Sequence, residues 1–342
     1  MTKPIRVAVV GCGYWGPNLI RNFKSFPDCE LTDLCDVSTS RLKHLKSLYP
    51  DVTTHTSFDE MLSGRALDAI IIATPVHLHH KLAMQSLNAG KHVMIEKPMA
   101  SSVAECDEMA AAAEKNKVTL MVGHTFLYSP HVRKIKEIIK SGDIGDIFYI
   151  SSRRLNLGLF QKDINVVWDL APHDISIIEY LMEEMPVSVN CQGNAHVTRG
   201  IEDISNMTLT FSSGRYATVQ TSWLDPRKVR EITIVGSERM IVYDDIQPLH
   251  KIMIYDQRVE KPPHYDSFAE FQYAYHYGDV YIPYVKQDEP LKIECRHFLD
   301  CIRTGDAPLT SAVQATGVVR VLEASTASLK QGGARVPTHV TS

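Results

Sequence analysis

IRVAVVGCGYWGPN, residues 5–18, decides how the rest of the chain reads. Ile5 to Val10 is a β-branched apolar run, the pattern of a strand buried on both faces. Gly11, Gly13 and Gly16 follow in G-x-G-x-x-G spacing, and Pro17 to Phe26 then reads as a helix. Pro17 suits a first helical turn, where its missing N–H is not needed. The glycines permit a tight turn, close backbone approach to a pyrophosphate, and close packing of helix on strand. The helix N-terminus offers free N–H groups and a positive dipole end to phosphates. A second strand, Glu30 to Cys35, ends at Asp36, twenty residues after Gly16. A carboxylate there accepts ribose hydroxyls and repels a 2′-phosphate, which favours NAD over NADP. Arg41, close behind, either stacks on adenine, meets a phosphate, or is a solvated residue of the next helix.

From this start strands and helices alternate. Ser38 to Leu48 reads as a helix capped by Ser38. Ala69 to Ala73 is a buried strand running into Thr74 and Pro75, and Val76 to Asn88 is a helix stopped at Gly90. HVMIEKP, residues 92–98, is a short apolar strand ending in Glu96, Lys97 and Pro98. A helix from Ser102 to Lys115 and a strand from Thr119 to Val122 follow. Alternation of this kind predicts a parallel, doubly wound α/β sheet. Ligands of such sheets lie outside the carboxyl ends of the strands, so Lys97 is expected at the mouth of the cleft. His77, His79 and His80 lack a carboxylate or cysteine at ligand spacing, and no metal site is expected.

Composition narrows the function. The 342 residues suggest about two domains. A hydrophobic share of 44% and a charged share of 22% are those of a globular protein. A formal net charge of -4 argues against a general nucleic-acid binder. No apolar run reaches the roughly 18 residues needed to span a membrane, and the N-terminus reads straight into a strand. The seven cysteines are scattered and none forms C-x-x-C, so a disulfide framework is not expected. The expectation is a cytoplasmic protein with reduced thiols.

After Gly123 the texture changes, giving expected domains at 1–123 and 124–342, with the C-terminal helices able to pack back on the first. His124 to Pro130 reads as an aromatic linker and Pro130 to Ser141 as an amphipathic helix. Longer strands separated by turns then predict a mostly antiparallel open sheet, one face covered by a helix from about His173 to Met182. The other face is a candidate surface for a homodimer or homotetramer. Residues 256–290, rich in proline and tyrosine, read as a long loop. Two helices, Cys295 to Thr304 and Ser311 to Lys330, close the chain. In WDLAPHDIS, residues 168–176, Asp169 and His173 are four apart. If both are helical they share a face one turn apart, and if Pro172 delays the helix they still lie close along a turn. A carboxylate beside an imidazole can orient it and raise its basicity; otherwise Asp169 caps the helix and His173 packs under the sheet.

These stretches together (VVGCGYWGPN at 9–18, ATPVHLHH at 73–80, GKHVMIEKP at 90–98 and DLAPHDIS at 169–176) resemble the glucose–fructose oxidoreductase, inositol dehydrogenase and MocA (Gfo/Idh/MocA) family over nearly the whole chain. The resemblance implies an N-terminal Rossmann domain, a C-terminal α/β domain with a large open sheet, and an enzyme oxidising a CH–OH group. It implies Lys97, Asp169 and His173 as catalytic residues meeting the substrate carbinol. It implies NAD contacts from Gly11, Gly13, Tyr14, Trp15, Gly16, Asp36, Arg41, Thr74, Pro75, His79, Glu96 and Lys97. The family often continues H-x-I-D after the histidine; here the order is His173-Asp174-Ile175-Ser176, and no role passes to Asp174 or Ser176. Within the family, GYWGPN, GHTFLYSP and WDLAPHDIS are similar to nucleotide-sugar 3-dehydrogenases acting on UDP-linked amino sugars. Arg153 and Arg154, near Asn156, are candidate donors to such a diphosphate, although paired arginines on a strand are more often solvated or in ion pairs. A free-sugar or inositol dehydrogenase, a 3-ketoreductase of a deoxysugar pathway, and a non-catalytic NAD-binding protein are the alternatives.

Overall fold

A computed structural model describes residues 3–64, 66–260 and 274–338. The chain divides into two compact units, Met1–Ser129 with Asp288–Arg320, and Pro130–Gln287 with Val321–Ser342.

The first unit is built on six parallel strands: β1 (Ile5–Val10), β2 (Cys29–Cys35), β3 (Thr53–His55), β4 (Ala69–Ile72), β5 (His92–Glu96) and β6 (Leu120–Gly123). Their order is β3-β2-β1-β4-β5-β6, so the winding reverses between β1 and β4. Val7, Val9, Ile70 to Ile72 and Val93 to Ile95 are buried, as continuous apolar strands covered on both faces must be. The strand β3 and the helix Phe58–Gly64 were not foreseen. β3 is three half-buried polar residues, Thr-Thr-His, with no apolar period to read. The stretch expected as an aromatic linker is a 3-10 turn, Thr125–Tyr128, whose Tyr128 is buried and shares a hydrogen bond with the Thr310 hydroxyl at 3.0 Å.

The expected helix at 295–304 begins at Pro290, which occupies its first turn. Its Leu291, Cys295, Phe298 and Leu299 join the core of β1 and of the helix Gly16–Lys24. Phe298 meets Phe23 edge-on with ring centroids 6.4 Å apart. Burying a side chain of this size contributes about 1.5–3 kcal/mol, so this helix is an integral part of the first unit's core.

The second unit is a nine-stranded sheet: β7 (Ile147–Leu157), β8 (Pro186–Asn194), β9 (Ile204–Phe211), β10 (Tyr216–Ser222), β11 (Leu224–Gly236), β12 (Met240–Asp244), β13 (Ile252–Glu260), β14 (Ala274–Tyr281) and β15 (Val336–Pro337). The order is β14-β13-β12-β11-β7-β10-β9-β8-β15, antiparallel except between β7 and β10. Side chains alternate across a strand. Ile150, Ser152 and Arg154 therefore face one side of the sheet, and Tyr149, Ser151 and Arg153 the other. The helix Val166–Met182 covers the first side, and Tyr149 stacks on Tyr216 at 5.5 Å on the second. The expected loop over 256–290 is corrected in part: 256–260 lie in β13 and 274–281 form β14, while 261–273 lie outside the described residues. β14 is an edge strand with most of its residues exposed, so its sequence lacks the buried alternation by which strands are recognised. Among the described residues, no helix is long and apolar enough to cross a membrane.

Candidate active site

In the first unit the glycine turn is shaped by its neighbours. Gly11 has φ +92°, and a Cβ there would stand 2.5 Å from the Ala73 carbonyl oxygen at the end of β4. A Cβ on Gly16 would overlap the Gly11 carbonyl oxygen. Gly13 differs: an added Cβ would meet only Arg41 Nη1, at 3.9 Å, so the protein leaves open space over its backbone. The helix starting at Gly16 has no side-chain cap, which leaves its first N–H groups for a ligand. The Thr74 hydroxyl, next to Gly11 across the switch point, is buried with no hydrogen-bond partner among the described residues. An open glycine, an uncapped helix start and an orphaned hydroxyl at one switch point fit a dinucleotide pyrophosphate. Tyr14 projects from the turn, 86% exposed.

Asp36 is buried, and its carboxylate already accepts the N–H groups of Cys12 (2.6 Å) and Ser38 (2.7 Å). A carboxylate has about four acceptor sites, so it braces the glycine turn and keeps capacity for ribose hydroxyls. Arg41 lies 3.9 Å from Asp36 and is otherwise solvated. Pro75 precedes the 3-10 turn Val76–Leu78. The His79 ring is 1% exposed and lies between two backbone carbonyls, Thr74 O at 2.8 Å and Pro98 O at 2.9 Å, to one of which its neutral form donates. Its position is that of a brace between the loops after β4 and β5, and burial lowers its pKa.

Around Lys97 the first unit gathers acids. Glu96, at the end of β5, has its Oε1 enclosed although part of the residue is open, and burial pushes its pKa up to about 7, against a smaller pull downward from Lys97 and Trp15. Glu294, from the helix Pro290–Thr304, is fully buried and accepts from Thr125 Oγ1 at 2.7 Å. Burial, then Glu96, hold it well above the carboxylate range. His124 is 1% exposed, and burial, then Lys97, drive its pKa down to about 3. Lys97 itself is half-buried.

In the second unit the helix begins at Val166, seven residues before the expected His173, because Asn165 caps it by accepting from Trp168 N at 3.2 Å. Pro172 sits inside the helix and does not delay it. Asp169 and His173 are thus one turn apart on one face, both half-buried. Trp223, 1% exposed and following β10, donates its indole N–H to Asp169 Oδ2 at 3.0 Å. Asp174, given no role from sequence, is buried and takes Arg154 Nε (2.6 Å), Arg154 Nη2 (3.2 Å) and Ser152 Oγ (2.6 Å). That pair pins the helix to β7 and fixes its rotation. Of the two readings of Arg153 and Arg154, diphosphate donors or ion-paired residues, the structure shows ion pairs. Arg154 is committed to Asp174, and Arg153 points to the opposite side of the sheet, 3.9 Å from Glu231.

Glu294, His124 and Trp223 were missed from sequence. Glu294 lies outside the motifs and His124 inside GHTFLYSP without a role, and only the fold brings them to Glu96. A buried tryptophan needs a partner for its N–H, but sequence does not say which acceptor it finds.

A family model described as the oxidoreductase family with an NAD-binding Rossmann fold matches residues 5–124, and one for the GFO/IDH/MocA C-terminal domain matches residues 132–242. The chain is 31% identical over 232 residues to an oxidoreductase of Streptococcus pneumoniae, an overlap covering 63% of this chain and 62% of that one. It is 24% identical to the myo-inositol 2-dehydrogenase of Thermotoga maritima over 90% of this chain and 91% of the relative. The solved UDP-N-acetylglucosamine 3-dehydrogenase of Acidithiobacillus ferrooxidans superposes with a TM-score of 0.79 at 22% identity, covering 97% of this chain and 99% of that chain, a likeness of fold. With both halves matched in order, the chain belongs to the Gfo/Idh/MocA oxidoreductase family.

Proposed function

We propose that this protein is an NAD-dependent oxidoreductase that interconverts a secondary ring alcohol and a ketone on a sugar, with Lys97, Asp169 and His173 as its catalytic residues. The observation that carries the reading is the Asp169–His173 pair on one helical face, with Asp169 held by Trp223. Bound NAD supplies the hydride acceptor. His173, oriented by Asp169, takes the hydroxyl proton as general base. Lys97 donates to the developing alkoxide and stabilises its charge. Asp36 selects NAD over NADP, because a 2′-phosphate beside a buried carboxylate is repelled. Gly11, Gly13, Tyr14, Trp15, Gly16, Arg41, Thr74, Pro75 and Glu96 complete the cofactor cradle, with His79 bracing it from beneath. The open side of the second sheet, carrying the Tyr149–Tyr216 stack, takes a second copy of the chain.

For the substrate, the first reading is the 3-position of a UDP-linked amino sugar. It is supported by GYWGPN, GHTFLYSP and WDLAPHDIS and by the fold shared with a UDP-N-acetylglucosamine 3-dehydrogenase. A free sugar or cyclitol is the second reading, favoured by one observation: Arg154, one of the two candidate diphosphate donors, is held by Asp174. Thermal-shift titration with NAD plus either a UDP-amino sugar or the free sugar separates the two. Stabilisation by the UDP-sugar alone supports the first reading, and stabilisation by the free sugar alone supports the second.

A further inference from the structure

The acids behind Lys97 form a group of their own within the first unit. Glu96 stands opposite Gly123 in the β5–β6 register. A Cβ on Gly123 would lie 3.1 Å from Glu96 Oε1, so the glycine makes room for the carboxyl group. Two residues on, Thr125 donates to Glu294 Oε2 at 2.7 Å. The two carboxyl groups therefore flank the segment 123–125. Glu294 Oε1 and Glu96 Oε1 are both buried without a hydrogen-bond partner among the described residues, as are both ring nitrogens of His124.

We propose that Glu96 and Glu294 are a proton-holding pair, in which Glu294 keeps its proton and Glu96 exchanges one as the charge of the nicotinamide changes. The proposal rests on the NAD-dependent reading above.

Each carboxyl group is enclosed against the same short segment, and a charge on Glu96 makes ionising Glu294 harder still. The first proton belongs on Glu294. Its donor is the neutral Thr125 hydroxyl, with no cation beside it among the described residues, and an ionised carboxylate so placed is not compensated. Glu96 is the one that titrates, because Lys97 adjoins it and Trp15 faces it. The other groups facing the pair add no charge near neutrality. His124 is held neutral by burial, and burial pushes up both the Cys295 thiol and the Tyr128 hydroxyl. The Glu96 carboxyl, at about 7, is then poised to respond to any new charge at the carboxyl end of β5.

The oxidised nicotinamide ring carries one positive charge and the reduced ring none; the rest of the dinucleotide is the same. With the oxidised cofactor bound, Glu96 is a carboxylate. With the reduced cofactor bound, it takes a proton from the medium. Ring and carboxyl group then change charge in opposite senses, so the net charge around Lys97 stays level across turnover.

Isothermal titration of NAD and of NADH into the wild-type protein at pH 7, in two buffers of different ionisation heat, counts the protons directly. NAD binding should release a fraction of a proton more than NADH binding, up to about one. The excess should vanish in Glu96→Gln and persist in Glu294→Gln, whose amide copies the protonated acid. Equal proton counts for the two cofactors in the wild-type protein would overturn the proposal. So would an excess lost in Glu294→Gln and kept in Glu96→Gln. The wild-type comparison needs no variant to fold. Failure of both cofactors to bind would overturn the NAD-dependent reading itself, and the proposal with it.

Discussion

The Trp223 indole N–H donates to Asp169 Oδ2 at 3.0 Å, one helical turn from His173. A hydrogen bond from a buried indole to a carboxylate is worth about 1.5–3 kcal/mol. Trp223→Phe keeps the ring and removes the donor. We expect turnover to fall about 10–100-fold, with cofactor affinity unchanged, because the loss is confined to the orientation of Asp169. A kinetic comparison with NAD titration of the same variant checks both halves.

The buried pair Arg154–Asp174 tests the positioning of the helix that carries Asp169 and His173. Asp174→Ala leaves Arg154, 5% exposed, without its carboxylate. Removing one partner of a buried ion pair costs about 3–5 kcal/mol. The double variant Asp174→Leu with Arg154→Met should recover part of that loss in urea unfolding, since no charge is then stranded.

How far the fold was legible follows from such contacts. The first sheet was plain because its strands are apolar on both faces and punctuated by Gly11, Thr74-Pro75 and Lys97-Pro98. β3 and β14 were not, because one is three polar residues long and the other is an exposed edge. Asp169 and His173 could be picked out from their spacing, but whether Pro172 broke the helix could not, since the cap that settles it is Asn165. Arg154 and Asp174 are 20 apart in sequence, and only the register of helix on strand shows that they meet.

Two glycines of the turn should fail in different ways. Gly11→Ala puts a Cβ 2.5 Å from the Ala73 carbonyl oxygen at φ +92°, so it should lower stability by about 1–3 kcal/mol and weaken NAD binding. Gly13→Ala meets open space, so it should fold with a near wild-type Tm while losing NAD affinity at least about 10-fold. Thermal unfolding with and without NAD distinguishes the two variants.

The stability of the cofactor unit should bend with pH in two opposed ways. Glu96 binds its proton more tightly folded (about 7) than unfolded (4.5), so it costs stability as pH rises through that interval. Glu96→Gln should then raise stability by about 3 kcal/mol at pH 8 and by little at pH 4.5. His124 is depressed from 6.5 to about 3, so stability is lost as pH falls through that window. His124→Gln should flatten this acid limb. Denaturant unfolding from pH 4 to 8 reads both slopes.

The central claim is that Lys97 and His173 carry the chemistry on a sugar carbinol with NAD. Its most direct measurement is NADH formation by the wild-type, Lys97→Ala and His173→Ala proteins across a panel of UDP-amino sugars, free sugars and cyclitols. We predict reduction of NAD by at least one ring alcohol, and a fall in kcat of about 10²–10⁴-fold in each variant. Turnover near the wild-type rate in either variant would contradict that residue's assignment, and no NADH from any member of the panel would contradict the function.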